Sequence, residues 1–126
     1  MNKQRRKAIS LEINYVAGKI ELLQAAIDAG KLVDEDFSID AGSVETIRDD
    51  EQEAYDNLPE SMQGGERGDA MQEAIQNLEE AISSIEEACS LIEDSRTPDD
   101  ESPQEIYAKA VEALEAAVET LDNAAA

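Results

Sequence analysis

Apolar residues along this chain recur at alternating steps of four and three, the spacing that lines one face of an α-helix. Ile9, Ile13, Val16, Ile20, Leu23 and Ile27 form one series. Met71, Ile75, Leu78, Ile82, Ile85, Cys89 and Ile92 form a second, and Tyr107, Val111, Leu114, Val118, Leu121 and Ala125 a third. They predict long helices over about residues 3–29, 66–94 and 103–124. Gly30 ends the first. Ser102-Pro103-Gln104-Glu105 opens the third, with a serine cap, proline at the first helical position and glutamate three residues after the cap. A shorter helix is expected over about 43–57, with Val44, Ile47, Ala54 and Leu58 on one side. Pro59 pushes Leu58 out of the helical region and ends it. The expected fold class is all-α: one domain over residues 1–126, a small antiparallel helical bundle around a coiled-coil-like hairpin, with three long helices and one short one. Residues 31–42 and 95–101 read as loose acidic loops, and the text after Leu58 as an irregular turn.

Heptad lettering sharpens this picture. With Met71, Leu78, Ile85 and Ile92 at d, the residues Ala74, Ala81 and Ala88 all fall at g. Ala110, Ala117 and Ala124 take the same place in the last helix. An antiparallel pair sets g against g, so two alanine rows meet and the backbones approach closely; Thr97-Pro98-Asp99-Asp100 supplies the turn. At the other edge, Glu79, Glu86 and Glu93 are expected to face the row of Glu115 and Asp122. Like charges there destabilise by a few tenths of a kcal/mol per pair, so that edge should splay, collect cations or receive something basic. Glu73, Glu80, Glu87 and Asp94 form a further strip at f. The first helix carries extra apolar residues, Leu11, Tyr15 and Leu22, off its main seam. It either covers the hairpin or pairs with a second subunit, and the small number of large core residues favours a homodimer.

Charge adds what periodicity cannot. The chain has 31 acidic and 10 basic residues, no histidine and a formal net charge of −21. Four of the cations, Lys3, Arg5, Arg6 and Lys7, stand in the first seven residues. Such a surface repels nucleic acid and anionic membrane and steers basic proteins toward itself. The basic start is expected to dock on acidic groups of its own fold or of a sister subunit. No window approaches the roughly 20 apolar residues of a membrane span. Cys89, the lone cysteine, forms no internal disulfide and points to a reducing cytoplasm.

Catalytic chemistry finds little support. Without histidine there is no acid–base group poised near neutral pH, and Cys89 at an a position reads as a small core residue. No enzyme and no cofactor is expected. Asp34, Asp36, Ser38, Asp40 and Glu45 match places 1, 3, 5, 7 and 12 of a calcium loop, but Ile39 replaces its glycine and Ala41 its following apolar residue. That leaves a weak candidate for calcium and a better account as a solvated acidic loop. Arg67-Gly68-Asp69 spells an adhesion tripeptide but opens a helix, and reads as coincidence. Tyr55, Asn57, Leu58 and Pro59 make a corner that either packs on the bundle or offers a docking surface.

The run D-E-Q-E-A-Y-D-N-L-P-E-S-M-Q at residues 50–63, then E-R-G-D-A-M at 66–71 and repeated L-E-E-A, resembles a family of small acidic helical proteins encoded by bacteriophages and prophages. The start, Asn2 to Ile9, is similar to theirs, and the resemblance covers about residues 1–28 and 50–93. It implies a phage accessory protein in the bacterial cytoplasm and supplies no catalytic residues. Two functions follow. In the first, the acidic strips (Glu73, Glu79, Glu80, Glu86, Glu87, Glu93, Asp94, Glu115, Asp122) imitate DNA phosphates and inhibit a basic, nucleic-acid-binding host defence protein. In the second, the chain is a homo-oligomeric helical scaffold or regulator that binds through apolar seams. Sequestration of a small nucleotide signal fares worse, because cations and aromatics are scarce after residue 7.

Overall fold

Asn2 and Gly30 bracket the first helix, α1 (Lys3–Ala29). The Asn2 side chain accepts from the Arg5 N–H at 2.8 Å. Gly30 takes the left-handed conformation, φ 65°, and its N–H and that of Lys31 close onto the last turn. The computed structural model describes residues 1–96 and 102–126. Beyond α1 it contains α2 (Gly42–Asp56), α3 (Glu60–Gln63), α4 (Glu66–Asp94) and α5 (Pro103–Ala125). Ser102 caps α5 by accepting from the Glu105 N–H at 3.3 Å, as the sequence predicts.

Helix α5 packs along both α4 and α1, while α2 packs on α4 and on α1. The four helices thus form a ring in the order α1, α5, α4, α2. The link from α4 to α5 has eight residues and spans at most ~28 Å, whereas α4 is ~43 Å long. The pair must therefore be antiparallel. Ala74, Ala81, Ala88, Ala110, Ala117 and Ala124 are all buried, as expected of two small-residue rows brought together. The expected turn at residues 97–100 lies outside the described residues.

The hairpin presents its d rows to the other helices. Leu78 and Ile85 of α4, Leu114 and Leu121 of α5, Ile9, Val16 and Leu23 of α1 and Val44 of α2 are fully buried in one cluster. The chain closes its own core. Among the described residues, no helix is long and apolar enough to cross a membrane.

Two expectations change. Residues 31–42 are pinned, not loose. Phe37, Ile39 and Ala41 are buried at every second position, the pattern of an extended segment laid on a hydrophobic surface. Arg96 donates to the Phe37 carbonyl at 2.8 Å, and the Val33 N–H donates to the buried Tyr107 hydroxyl at 3.2 Å. Of residues 95–101, Ser95 and Arg96 are described and turn back on the end of α4; the remainder lies outside the described residues. The irregular turn after Leu58 also contains α3, between Pro59 and Gly64.

Candidate functional site

The acidic strips stand where their helix positions put them. Glu73, Glu79, Glu80, Glu86, Glu87, Glu93 and Asp94 are exposed along α4, and Glu115 and Asp122 along α5. Among the described residues, Glu73, Glu79, Glu80, Glu86, Glu87, Glu115 and Asp122 form no ion pair. A regular helix fixes the row spacing at ~10.5 Å for residues seven apart.

The expectation that Glu79, Glu86 and Glu93 face Glu115 and Asp122 is wrong. Glu86 and Glu93 border clefts shared with residues 37–45, whereas Glu115 and Asp122 border a groove shared with α1. Helices α4 and α5 pack along each other, and their outer edges turn to different neighbours: α2 and its approach on one side, α1 on the other. That edge of α4 has residues 37–45 beside it in place of α5 carboxylates, and Glu79, Glu86 and Glu93 stay exposed. The groove between α1 and α5 encloses about 360 Å³, with Ile13, Ala17, Ile20 and Val118 below and Glu115, Glu119 and Asp122 at its rim.

The basic start does find acceptors within the fold. Arg5 reaches Glu51 of α2, Nε to Oε2 3.3 Å, and Arg6 donates to the Ala125 carbonyl at the end of α5. The latter places a cation at a helix C-terminus, where it complements the exposed carbonyls. Lys3 and Lys7 remain exposed.

The calcium-loop residues do not converge. Asp34 and Asp36 are exposed before buried Phe37, Asp40 is exposed after buried Ile39, and Glu45 sits in the first turn of α2. The Asp40 side chain accepts from the Gly42 N–H at 2.9 Å and so serves the start of α2. No group of three or more His, Cys, Asp or Glu side chains among the described residues is gathered tightly enough to hold a metal ion.

The corner after α2 is largely structural. Tyr55 and Leu58 are half-buried, Asn57 and Pro59 exposed. The Tyr55 hydroxyl accepts from Gln72 of α4 at 2.8 Å, and Gln63 donates to the carbonyls of Tyr55 and Leu58. Gly68 is buried beneath this turn, so the adhesion-like tripeptide is a packing feature. Cys89 is half-buried, not sealed in the core, and borders clefts shared with residues 37–45. Burial, then Glu93 and Asp40, push its thiol up, which disfavours the reactive thiolate.

A feature the heptad pattern hides lies between α1 and α2. Glu12 is buried on α1, and its Oε1 has no hydrogen-bond partner. It lines a cleft of about 520 Å³ with Tyr15, Asp40, Ser43, Thr46 and Asp50. Its place next to the seam residues Ile9, Val16 and Ile13 was the available signal. Burial, reinforced by Asp40, raises its carboxyl above the usual 4.5. The folded state therefore holds the proton more tightly than the unfolded chain, so this group's contribution is most favourable below about pH 4.5 and is lost as pH rises through the raised value. Glu12→Gln is expected to stabilise the fold near pH 7 by on the order of 1 kcal/mol. The gain should vanish in acid, as urea unfolding at several pH values would show.

No protein-family model, curated protein or solved structure matches this chain.

Proposed function

We propose that the chain is a non-catalytic inhibitor that occupies a basic, nucleic-acid-binding groove on another protein by presenting carboxylates where DNA presents phosphates. The observation that carries this reading is the double row of exposed carboxylates on α4. The helix bears nine acids from Glu66 to Asp94, about one per 5 Å of its length, against about 3.4 Å per phosphate along one DNA strand. The exposed acids of α5 bring the combined density closer to that of a duplex. Because the rows belong to helices fixed by a shared core, little ordering entropy is lost on docking. The resemblance to small acidic phage proteins supplies the context: an accessory protein acting on a host defence protein in the bacterial cytoplasm.

The reading is tested by neutralising Glu79, Glu86 and Glu93 together as glutamines. These side chains are exposed, so the fold and its Tm should be nearly unchanged, while affinity for the basic partner falls by at least about tenfold. Unchanged affinity would exclude the acidic rows as the binding surface.

One observation favours a second reading, a homo-oligomeric scaffold. Leu11 and Leu22 are 63% and 55% exposed on α1, with Tyr15 and Gly18 between them. Two copies crossing antiparallel at Gly18 would set Lys3 and Lys7 of each α1 toward the other's Asp28. Sedimentation equilibrium of Leu11→Glu/Leu22→Glu decides this: a scaffold dissociates, whereas a wild-type chain already monomeric at micromolar concentration removes the reading.

A further inference from the structure

We propose that the cleft between α1 and α2 is a receptor for an arginine side chain. This rests on the reading of the chain as a binder of basic proteins and names one of its contacts.

Three carboxylates, Glu12, Asp40 and Asp50, line the cleft together with the Tyr15 ring and the hydroxyl residues Ser43 and Thr46, and no lysine or arginine lines it. Exposed acids alone would mean little on so acidic a chain. Glu12 is different: it is 6% exposed, and one of its oxygens is sealed from solvent without a hydrogen-bond partner. A buried carboxylate lacking compensation is costly, and folding gains nothing from it. A cation in the cleft would offset that charge through the carboxylate's other oxygen, which is not sealed.

Two cations of the chain are engaged elsewhere, and a third, Lys19, already stands over the Tyr15 ring that lines the cleft. Arg5 is held by Glu51 and Arg48 by Asp49, while the Lys19 ammonium lies 5.4 Å and 5.0 Å from the centres of the Tyr15 and Phe37 rings. The acids of this cleft are also too dispersed to grip a metal ion. Separated acceptors suit a guanidinium, which spreads five N–H donors over a plane. The volume, about 520 Å³, admits a whole side chain. Ionised Glu12 is the form that binds, facing Asp40 from the preceding segment, Asp50 from α2 and Tyr15 from its own helix. A bound guanidinium should therefore draw the Glu12 carboxyl back toward its ordinary range.

The probe is blocked arginine, N-acetylarginine amide, titrated into the full chain and followed by NMR at the Tyr15 ring and the Glu12 side chain. The expected result is a saturable shift at both, and a lowered Glu12 titration midpoint. Glu12→Gln, which keeps the shape, should weaken this binding about tenfold, the loss expected for one charge-assisted hydrogen bond. Glu21→Gln, which removes the same charge from an exposed position of α1 outside the cleft, should leave it unchanged. Equal weakening by both variants, or shifts spread evenly over α4 and α5, would reduce the effect to general charge screening and overturn the receptor. Blocked lysine binding as tightly as blocked arginine would overturn the choice of guanidinium. If Glu12→Gln loses blocked arginine while the triple glutamine variant still binds basic protein, the cleft stands and the acidic-row reading fails. The converse pattern sinks the cleft and leaves that reading in place.

Discussion

Arg5→Ala lowers the stability of the fold by about 3–5 kcal/mol, the cost of leaving one member of a buried ion pair behind. Glu51 is fully buried on α2, and Arg5, 46 residues away on α1, is its ion-pair partner at 3.3 Å. The other Glu51 oxygen, Oε1, has no hydrogen-bond partner, so the guanidinium is what compensates this carboxylate. Without it the first turn of α1 has no polar tie to α2, and the charge stays inside. The loss would appear as a fall in the urea midpoint at unchanged slope. Replacing both residues by apolar side chains, Arg5→Met/Glu51→Leu, should restore stability to near or above that of the natural sequence, because the desolvation of both charges is avoided. A loss under about 0.5 kcal/mol for Arg5→Ala, typical of a surface pair, would contradict the description of the contact as buried.

Gly68→Ala should also destabilise, although alanine ordinarily exceeds glycine in a helix by about 1 kcal/mol. A Cβ at Gly68 would fall onto the Gln63 carbonyl and lie 2.8 Å from the Gln63 Cα. These are backbone atoms of the turn that Gln63 ties to the carbonyls of Tyr55 and Leu58. The turn must move off α4 and lose those bonds, at a net cost of about 2–3 kcal/mol. Gly18→Ala is the matched control. It lies in α1 with nothing within 4 Å of the added carbon, so the ordinary preference for alanine should raise Tm. Opposite signs for the two substitutions, read by thermal unfolding, would establish that close approach, not flexibility, explains the glycine in the E-R-G-D run.

Both cases mark where the sequence stops being legible. Steps of four and three located the long helices, and the Ser102-Pro103 cap located the start of α5, because these signals are local. Gly68 carries no local signal, since its need for a bare backbone arises from a turn that folds back over it. Residues 31–42 were misread because Asp34, Glu35, Asp36 and Asp40 outweigh Phe37 and Ile39 in composition, while the period-two burial of the apolar residues needs the bundle surface to have meaning. The heptad letters identified the alanine rows but not which helix fills each outer edge. That depended on where α1 and α2 settle, and it separated Glu86 and Glu93 from Glu115 and Asp122. Glu12 escaped notice for the same reason: it abuts the apolar seam, and its burial is decided by α2.

The exposure of the carboxylate rows was legible, since f positions and their neighbours face outward in any such bundle. Their purpose is an electrostatic question. It is best put by immobilising the chain, recovering whichever protein it retains from a cell lysate, and measuring the affinity of that pair across salt concentrations with duplex DNA as competitor. Polyanion-like recognition predicts a fall of at least about tenfold between roughly 0.05 and 0.2 M salt, and displacement by DNA. Affinity that stays flat across that range, with DNA unable to compete, would contradict it.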